Sequence, residues 1–463
     1  MIHMLKTDKN SIILAVLIMI QPILDILSFF AIQTGMTSVT SLLRLAIFGA
    51  IMVYAFLLSK QKKRYLIFAG VAAVYWIIHM VINARDGYEL VSDCNGFLRT
   101  IQMPALTFAF ITLFRHAKEF PQRIGKYFAI NYGIIGGSVI LSFLLNMPVY
   151  TYDIHVGVKG WFATSNAQSF ILSVMAMLAL FDAYQRKNNI AFVITMLLAF
   201  IQMFVLGTLV ALYSIFITAA VYLVIFLWNR EKRWVMAGAL VFVIVSTVLA
   251  YPLSASYQVG VSEDQAVSRW EDVLEEQDKD PAEEETLDLS ETILQPLVDR
   301  FGYEKVLQVY GGSIEAYELL DARKMKVSFG QLVMAEKDVW HWLFGVEDAD
   351  MRFRGEIFDP ENDFPAIFFY YGIAGVVLYV LFLGYFAWLL IRDIFRSLKK
   401  LPVDKVVVSL SLVLSMGCAE LSANVLRRPN ASIYISLLLA YAYYVCKVEK
   451  EQINETECDR PGL

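Results

Sequence analysis

Cysteine and histidine are nearly absent, with 4 and 5 of them in 463 residues. Cys418 and Cys446 fall in late apolar runs and Cys458 in the C-terminal tail. Only Cys94 lies near the face read below as external, so no internal disulfide can form there. No CxxC, HExxH or clustered His/Cys spacing occurs, which argues against a dedicated transition-metal site. No P-loop or GxGxxG stands in a strand–turn–helix context, which argues against ATP coupling within the chain; no metal and no cofactor are expected. Charge is scarce too: 18% of residues are Asp, Glu, Lys or Arg, against about a quarter in soluble domains. A pI near 5.7 offers nucleic acid no basic field. A cytosolic enzyme, a secreted disulfide scaffold and a nucleic-acid module are thereby excluded.

What fills the chain is hydrocarbon: 58% hydrophobic residues and a mean hydropathy of +0.55. Most apolar runs are about 18–24 residues long and nearly charge-free, the length that crosses ~30 Å of bilayer core. The expected fold is an all-α polytopic membrane protein with about twelve transmembrane helices. They are read at about 11–32, 37–58, 65–83, 96–114, 127–146, 167–184, 190–206, 208–228, 234–252, 366–390, 406–424 and 431–446. The 190–228 stretch holds two spans around Gly207. No small-residue cleavage site follows the first span, which therefore reads as a retained helix.

Lys and Arg in the short loops set the orientation. With the N-terminus inside, the cytoplasmic segments carry twenty-three basic residues, among them Lys60, Lys62, Lys63, Arg64, Arg115 and Arg392. The short outer loops carry four: Arg85, Lys159, Arg427 and Arg428. Both termini are thus expected in the cytoplasm. The chain divides into a nine-helix part (1–252), a large extracytoplasmic loop (253–365), a three-helix part (366–446) and a cytoplasmic tail (447–463). Within the loop, 262–291 is acidic, with thirteen Asp or Glu against Arg269 and Lys279. Residues 297–310 and 323–342 show apolar residues at helical spacing and predict amphipathic helices at the outer interface. A packing cap explains the same pattern.

Ionisable residues inside spans cost ~2.5–3.5 kcal/mol at a helix centre. Asp25 follows Gln21 and Pro22, Arg44 lies in the second span, Arg99 in the fourth and Glu420 in the eleventh. The pairings Asp25–Arg44 and Arg99–Glu420 either fix helix register or line an electropositive chamber for an anionic head group. Three outer stretches then converge: Gly160-Trp161-Phe162-Ala163-Thr164-Ser165-Asn166; Asp321-Ala322-Arg323 with the helix ending at Leu343-Phe344-Gly345; and Glu361-Asn362-Asp363-Phe364 ahead of Gly372-Ile373-Ala374-Gly375. The two glycines allow close helix approach.

This arrangement resembles the O-antigen ligase and O-antigen polymerase superfamily of bacterial membrane glycosyltransferases, in its Gram-positive-type branch. That family has many spans, a large outer loop before the last few, and a His-Asn pair eleven and ten residues before a Gly-x-x-Gly. Glu361-Asn362 stands at that distance from Gly372 and Gly375. Gly160 to Asn166 is similar to the family's G-F-x-x-x-N, and Asp321-Ala322-Arg323 to its S-G-R. Gln21 to Asp25 and Ala423-Asn424-Val425-Leu426 are similar to the Gram-positive branch. Three departures stand out: Glu361 replaces the usual His, Leu209 follows Gly207-Thr208 where a basic residue is common, and Ala423-Asn424 replaces a Gly-His.

The resemblance implies transfer of a glycan from a polyprenyl-diphosphate-linked oligosaccharide donor to an acceptor hydroxyl on a glycan, wall polymer or lipid. The setting implied is the outer face of a bacterial inner (plasma) membrane, in cell-surface polysaccharide assembly, with membrane lipids as the other partner. Such a donor carries its own activation, so no nucleotide is needed. The acceptor needs a base within ~2.6–3.2 Å and the departing diphosphate needs positive charge placed in advance. Glu361 is the expected base and Asp363 its substitute. Arg323 leads for the diphosphate, with Arg352, Arg354, Arg427, Arg428 and Lys159 supporting it; Asn166, Asn362, Arg44, Arg99 and Asn424 frame the site. Each has a plainer role: Glu361 as a helix cap, Arg427 and Arg428 as snorkelling residues, Arg323 as partner to an acidic loop neighbour. His341, between Trp340 and Trp342, reads as interfacial. A transporter or flippase of a lipid-linked sugar is the alternative, but such folds usually show internal repeats. Here nine spans precede the loop and three follow.

Overall fold

The computed structural model describes residues 8–84, 88–117, 119–262, 265, 295–310, 322–353, 356–421 and 424–449. Nearly all of the acidic stretch 262–291, Asp321, Arg354, Ala423 and the tail from residue 450 lie outside them. The architecture is helical. Its helices are α1 (Lys9–Gln33), α2 (Thr37–Leu58), α3 (Lys62–Asn83), α4 (Leu90–His116), α5 (Ile124–Leu144), α6 (Ser165–Gln185), α7 (Asn189–Leu206), α8 (Leu209–Trp228) and α9 (Trp234–Ala250). Next come α10 (Gln295–Phe301), α11 (Tyr303–Tyr310), α12 (Ala322–Ala335) and α13 (Val339–Phe344). A two-residue antiparallel hairpin, β1 (Arg352–Phe353) with β2 (Glu356–Ile357), precedes α14 (Asp363–Phe395), α15 (Val403–Leu421) and α16 (Pro429–Tyr443).

Eleven helices among the described residues are long and apolar enough to cross a membrane: α1–α9, α14 and α16. The chain is a multi-pass membrane protein. Twelve spans were expected, and the difference is 406–424. That segment forms the 19-residue α15, every eighteen-residue stretch of which carries Asp404, Lys405 and Glu420. Its charges sit at its two ends: Asp404 and Lys405 lie just before the expected span, and Glu420 falls within it near its outer end. The two spans expected around Gly207 are α7 and α8. Gly207 ends α7 at φ +73° and Thr208 Oγ1 caps α8 by accepting from the Ala211 N–H at 3.2 Å.

The chain forms two compact units. The first comprises residues 1–70, 99–256 and 381–463. Here α6 and α16, apolar on every side, are buried along almost their whole length. A Cβ at Gly125 of α5 would come 2.5 Å from the Leu178 carbonyl of α6, so that crossing needs glycine. Pro22 inside α1 has no N–H, which strands the Ile18 carbonyl one turn back; Asn131 of α5 donates to it at 2.8 Å. One turn on from the proline, buried Asp25 accepts from Arg44 at 2.7 Å. The first expected ion pair is therefore formed. The second, Arg99 with Glu420, is not formed; both residues are exposed.

The second unit comprises residues 71–98 and 257–380. Its centre is a crossing of two backbones. Within α14 the helix breaks at Gly372 (φ +59°, ψ −170°), where a Cβ would lie 2.4 Å from the Leu343 carbonyl carbon. Opposite it, Gly345 has φ +87°, and a Cβ there would lie 2.2 Å from Tyr370 backbone atoms. The Val346 N–H donates to the Phe369 carbonyl at 2.9 Å. A broken helix in an apolar setting leaves carbonyls that must find donors. The Tyr75 hydroxyl donates to the Tyr371 carbonyl, His79 Nδ1 to Phe344 at 2.7 Å and Asn83 Nδ2 to Gly345 at 3.2 Å.

Candidate functional site

Helix α12 presents Arg323 and Lys326 three residues apart, hence on one face. Two contacts lock that helix in place. Phe329, fully buried, meets Phe301, Phe353 and Phe358 at ring-centroid distances of 5.8, 5.7 and 5.5 Å. One residue on, Gly330 lies so close to α14 that a Cβ would meet the Phe369 ring at 2.5 Å. The segment leading into α14 is thereby held against α12, and it carries Glu361 two residues before the helix begins.

Glu361 accepts from both cations: Lys326 Nζ at 3.1 Å and Arg323 Nε at 3.3 Å. The carboxylate is 33% exposed, the arginine 41% and the lysine 22%. Pairs this open contribute only about 0.2–1 kcal/mol of stability, so the cluster is a poor staple. It does place two cations on one carboxylate at a half-open position. Burial pushes the Glu361 carboxyl up, but the hydrogen bonds and charges of Lys326 and Arg323 more than offset it. The carboxyl is held below its ordinary range, ionised and acceptor-only.

The other expected residues sit as follows. The Asn362 carbonyl accepts from the Ala366 N–H at 3.1 Å and opens α14; Asp363, in that first turn, is fully buried. Arg352 pairs with Glu89 at 2.5 Å, while its carbonyl accepts from Arg300 at 2.9 Å. Lys159, Asn166, Arg44, Arg99, Asn424, Arg427 and Arg428 belong to the first unit. There Lys159 Nζ donates to the Ala163 carbonyl at 3.4 Å, and burial lowers its ammonium pKa against a partial offset from Asp153. Asn166 is half-buried in the first turn of α6, Arg427 donates to Asn424 Oδ1 at 3.0 Å, and Arg428 immediately precedes α16. His341 is buried, with Nδ1 2.7 Å from Asp338 Oδ1, while Trp340 and Trp342 on either side are exposed.

Two features escape a reading of the sequence. Lys326 is one; its signal is the i, i+3 spacing from Arg323. The other is a buried polar cluster of the second unit. His79 Nε2 lies 2.9 Å from Asp93 Oδ1, and Asp93 Oδ2 accepts from Tyr88 at 2.7 Å and Trp76 at 3.2 Å. Both imidazole nitrogens face acceptor oxygens, and the ring thereby ties α3 to α4 and to the Phe344 carbonyl at the Gly345–Gly372 crossing. Its signal is a lone His in an apolar run with Asn83 one turn on.

A family model described as O-antigen ligase like membrane protein matches residues 7–451. No curated protein matches the chain.

Proposed function

Since the chain belongs to the O-antigen ligase like membrane proteins, we propose that it is a glycan ligase or polymerase. It moves a glycan from a polyprenyl-diphosphate carrier to an acceptor hydroxyl, on the outer face of a bacterial plasma membrane. The observation that carries this reading is the sharing of Glu361 between Arg323 and Lys326. In this reading the cluster is a resting state. The donor's diphosphate oxygens take over the two cations, Arg323 bidentately and Lys326 as a point charge. Relieved of its partners, Glu361 becomes a better base. It takes the proton of the acceptor hydroxyl while that oxygen bonds the anomeric carbon. The anomeric carbon–oxygen bond to phosphate breaks, and the polyprenyl diphosphate leaves with the electron pair, its charge met by cations already in place. Asp363, fully buried at the start of α14, holds the helix terminus in this scheme and does not act as the base.

The test is purified protein in lipid with a polyprenyl-diphosphate oligosaccharide and an acceptor, products resolved by size. Wild type should give extended or transferred glycan. Glu361→Gln should lower turnover by about 10²–10⁴-fold, the scale of a lost general base, with normal protein levels. Arg323→Ala with Lys326→Ala should do the same. A double variant with wild-type turnover removes the cluster from the reaction. Movement of lipid-linked sugar into vesicles with no covalent product would mean transport.

A further inference from the structure

The first unit contains a cavity of about 540 Å³ that the proposed reaction does not use. It lies where the α2–α3 turn, the C-terminal turns of α4 and the end of α16 meet α14. Its walls carry Lys60, Arg64, Arg115 and His116, and no carboxylate is among its described lining residues. Arg115 donates to the Tyr443 hydroxyl at 3.1 Å and its guanidinium lies 5.6 Å from that ring's centroid, which orients it at the wall. Lys60 and Arg64 are exposed and make no ion pair with a described residue. Phe108, Ile111 and Phe382 line the apolar side of the same cavity.

Lys60 and Arg64 place positive charge at one end of the cavity with no carboxylate among its described lining residues, and a cavity of this size is ligand-sized. A cationic end joined to an apolar wall between membrane helices matches a molecule with an anionic head and a hydrocarbon body. We propose that this cavity binds the phosphate of an anionic membrane lipid, a phosphodiester head group seated on Lys60, Arg64 and Arg115 with its glycerol and acyl part along Phe108 and Phe382. Arginine suits that role because its planar fork meets phosphate oxygens in pairs and never loses its charge. By the Lys/Arg bias of the loops this end of the bundle faces the cytoplasm, so the lipid comes from the inner leaflet. This inference does not depend on how the Glu361 cluster acts.

The experiment is native mass spectrometry of the full chain in neutral detergent, titrated with phosphatidylglycerol, phosphatidylcholine or soluble glycerol phosphate. Wild type should retain phosphatidylglycerol and discriminate against phosphatidylcholine. Lys60→Gln with Arg64→Gln should cut phosphatidylglycerol retention by about tenfold or more, the scale expected for two cations near an anionic head group. Because both side chains are exposed, the unfolding midpoint should not move; if it does, Arg64→Gln alone gives the same readout with less perturbation. Retention that survives the substitutions, or equal retention of phosphatidylcholine, overturns the proposal. Displacement of the lipid by glycerol phosphate would also overturn it, by making the ligand a soluble phosphate ester.

Discussion

A carboxylate that accepts from Lys326 at 3.1 Å and Arg323 at 3.3 Å is a weak base for as long as both contacts last. Its protonation then follows a definite sign. The folded value lies below the unfolded one, so the ionised form and its pairings are intact above the ordinary Glu value. They are lost only as pH falls through the depressed folded value. If Glu361 acts as the base, kcat/KM of the transfer reaction reports this free-enzyme carboxylate. Its acid limb should therefore lie below that of an unperturbed Glu. Lys326→Met removes the nearer cation while burial stays, and the limb should move upward. A pH–rate profile that is the same in both proteins would remove Glu361 from the rate-determining proton transfer. At this scale the sequence was half legible. Arg323 and Glu361 could each be singled out, because charged residues flanking apolar helices are conspicuous. Their pairing across 38 residues could not, since it needs α12 seated on α14 at Gly330 and on the segment before α14 through Phe329 and Phe358.

Helices were the most legible elements, because an apolar run long enough to cross a bilayer has few other stable fates. What remained hidden were the places where a helix departs from regularity. Gly372 and Gly375 read as a packing pair on a continuous helix, yet Gly372 breaks α14 because the backbone of residues 343–345 crosses there. Pro22 is visible in the sequence, but its remedy is not: Asn131, more than a hundred residues away, supplies the donor that the proline removes. This yields a test by double-mutant cycle. Asn131→Ala leaves the Ile18 carbonyl buried without its partner and should cost about 1–3 kcal/mol. Pro22→Ala restores an N–H one turn along, so the double variant should recover most of the loss, with a coupling of about 0.5–3 kcal/mol. Unfolding midpoints in mild detergent measure this. Strictly additive effects would mean that Asn131 does something other than repair the proline site.

At the scale of the whole molecule the open question is parity, because eleven crossings and twelve put the C-terminus on opposite sides of the membrane. Helix α15 decides it. Nineteen residues rise about 28 Å, close to the ~30 Å hydrocarbon core. Its charges lie at its ends, and one is already compensated: buried Lys405 sits 3.0 Å from buried Asp393 of α14. A paired, terminal charge costs far less to insert than a lone one at the midplane, so α15 should cross and the crossings should number twelve. The positive-inside reading, with basic residues in every segment assigned to the cytoplasm, then holds to the end of the chain. Cys458 in the tail is a natural reporter. With Cys94 replaced by Ser, and Cys418 and Cys446 buried, a membrane-impermeant maleimide should leave intact cells unlabelled and label Cys458 only after permeabilisation. Labelling in intact cells would put the tail outside and make the number of crossings odd. In that case α15 would lie on the membrane rather than across it, and residues 253–365 would have to be placed from loop charge upstream of α15 alone.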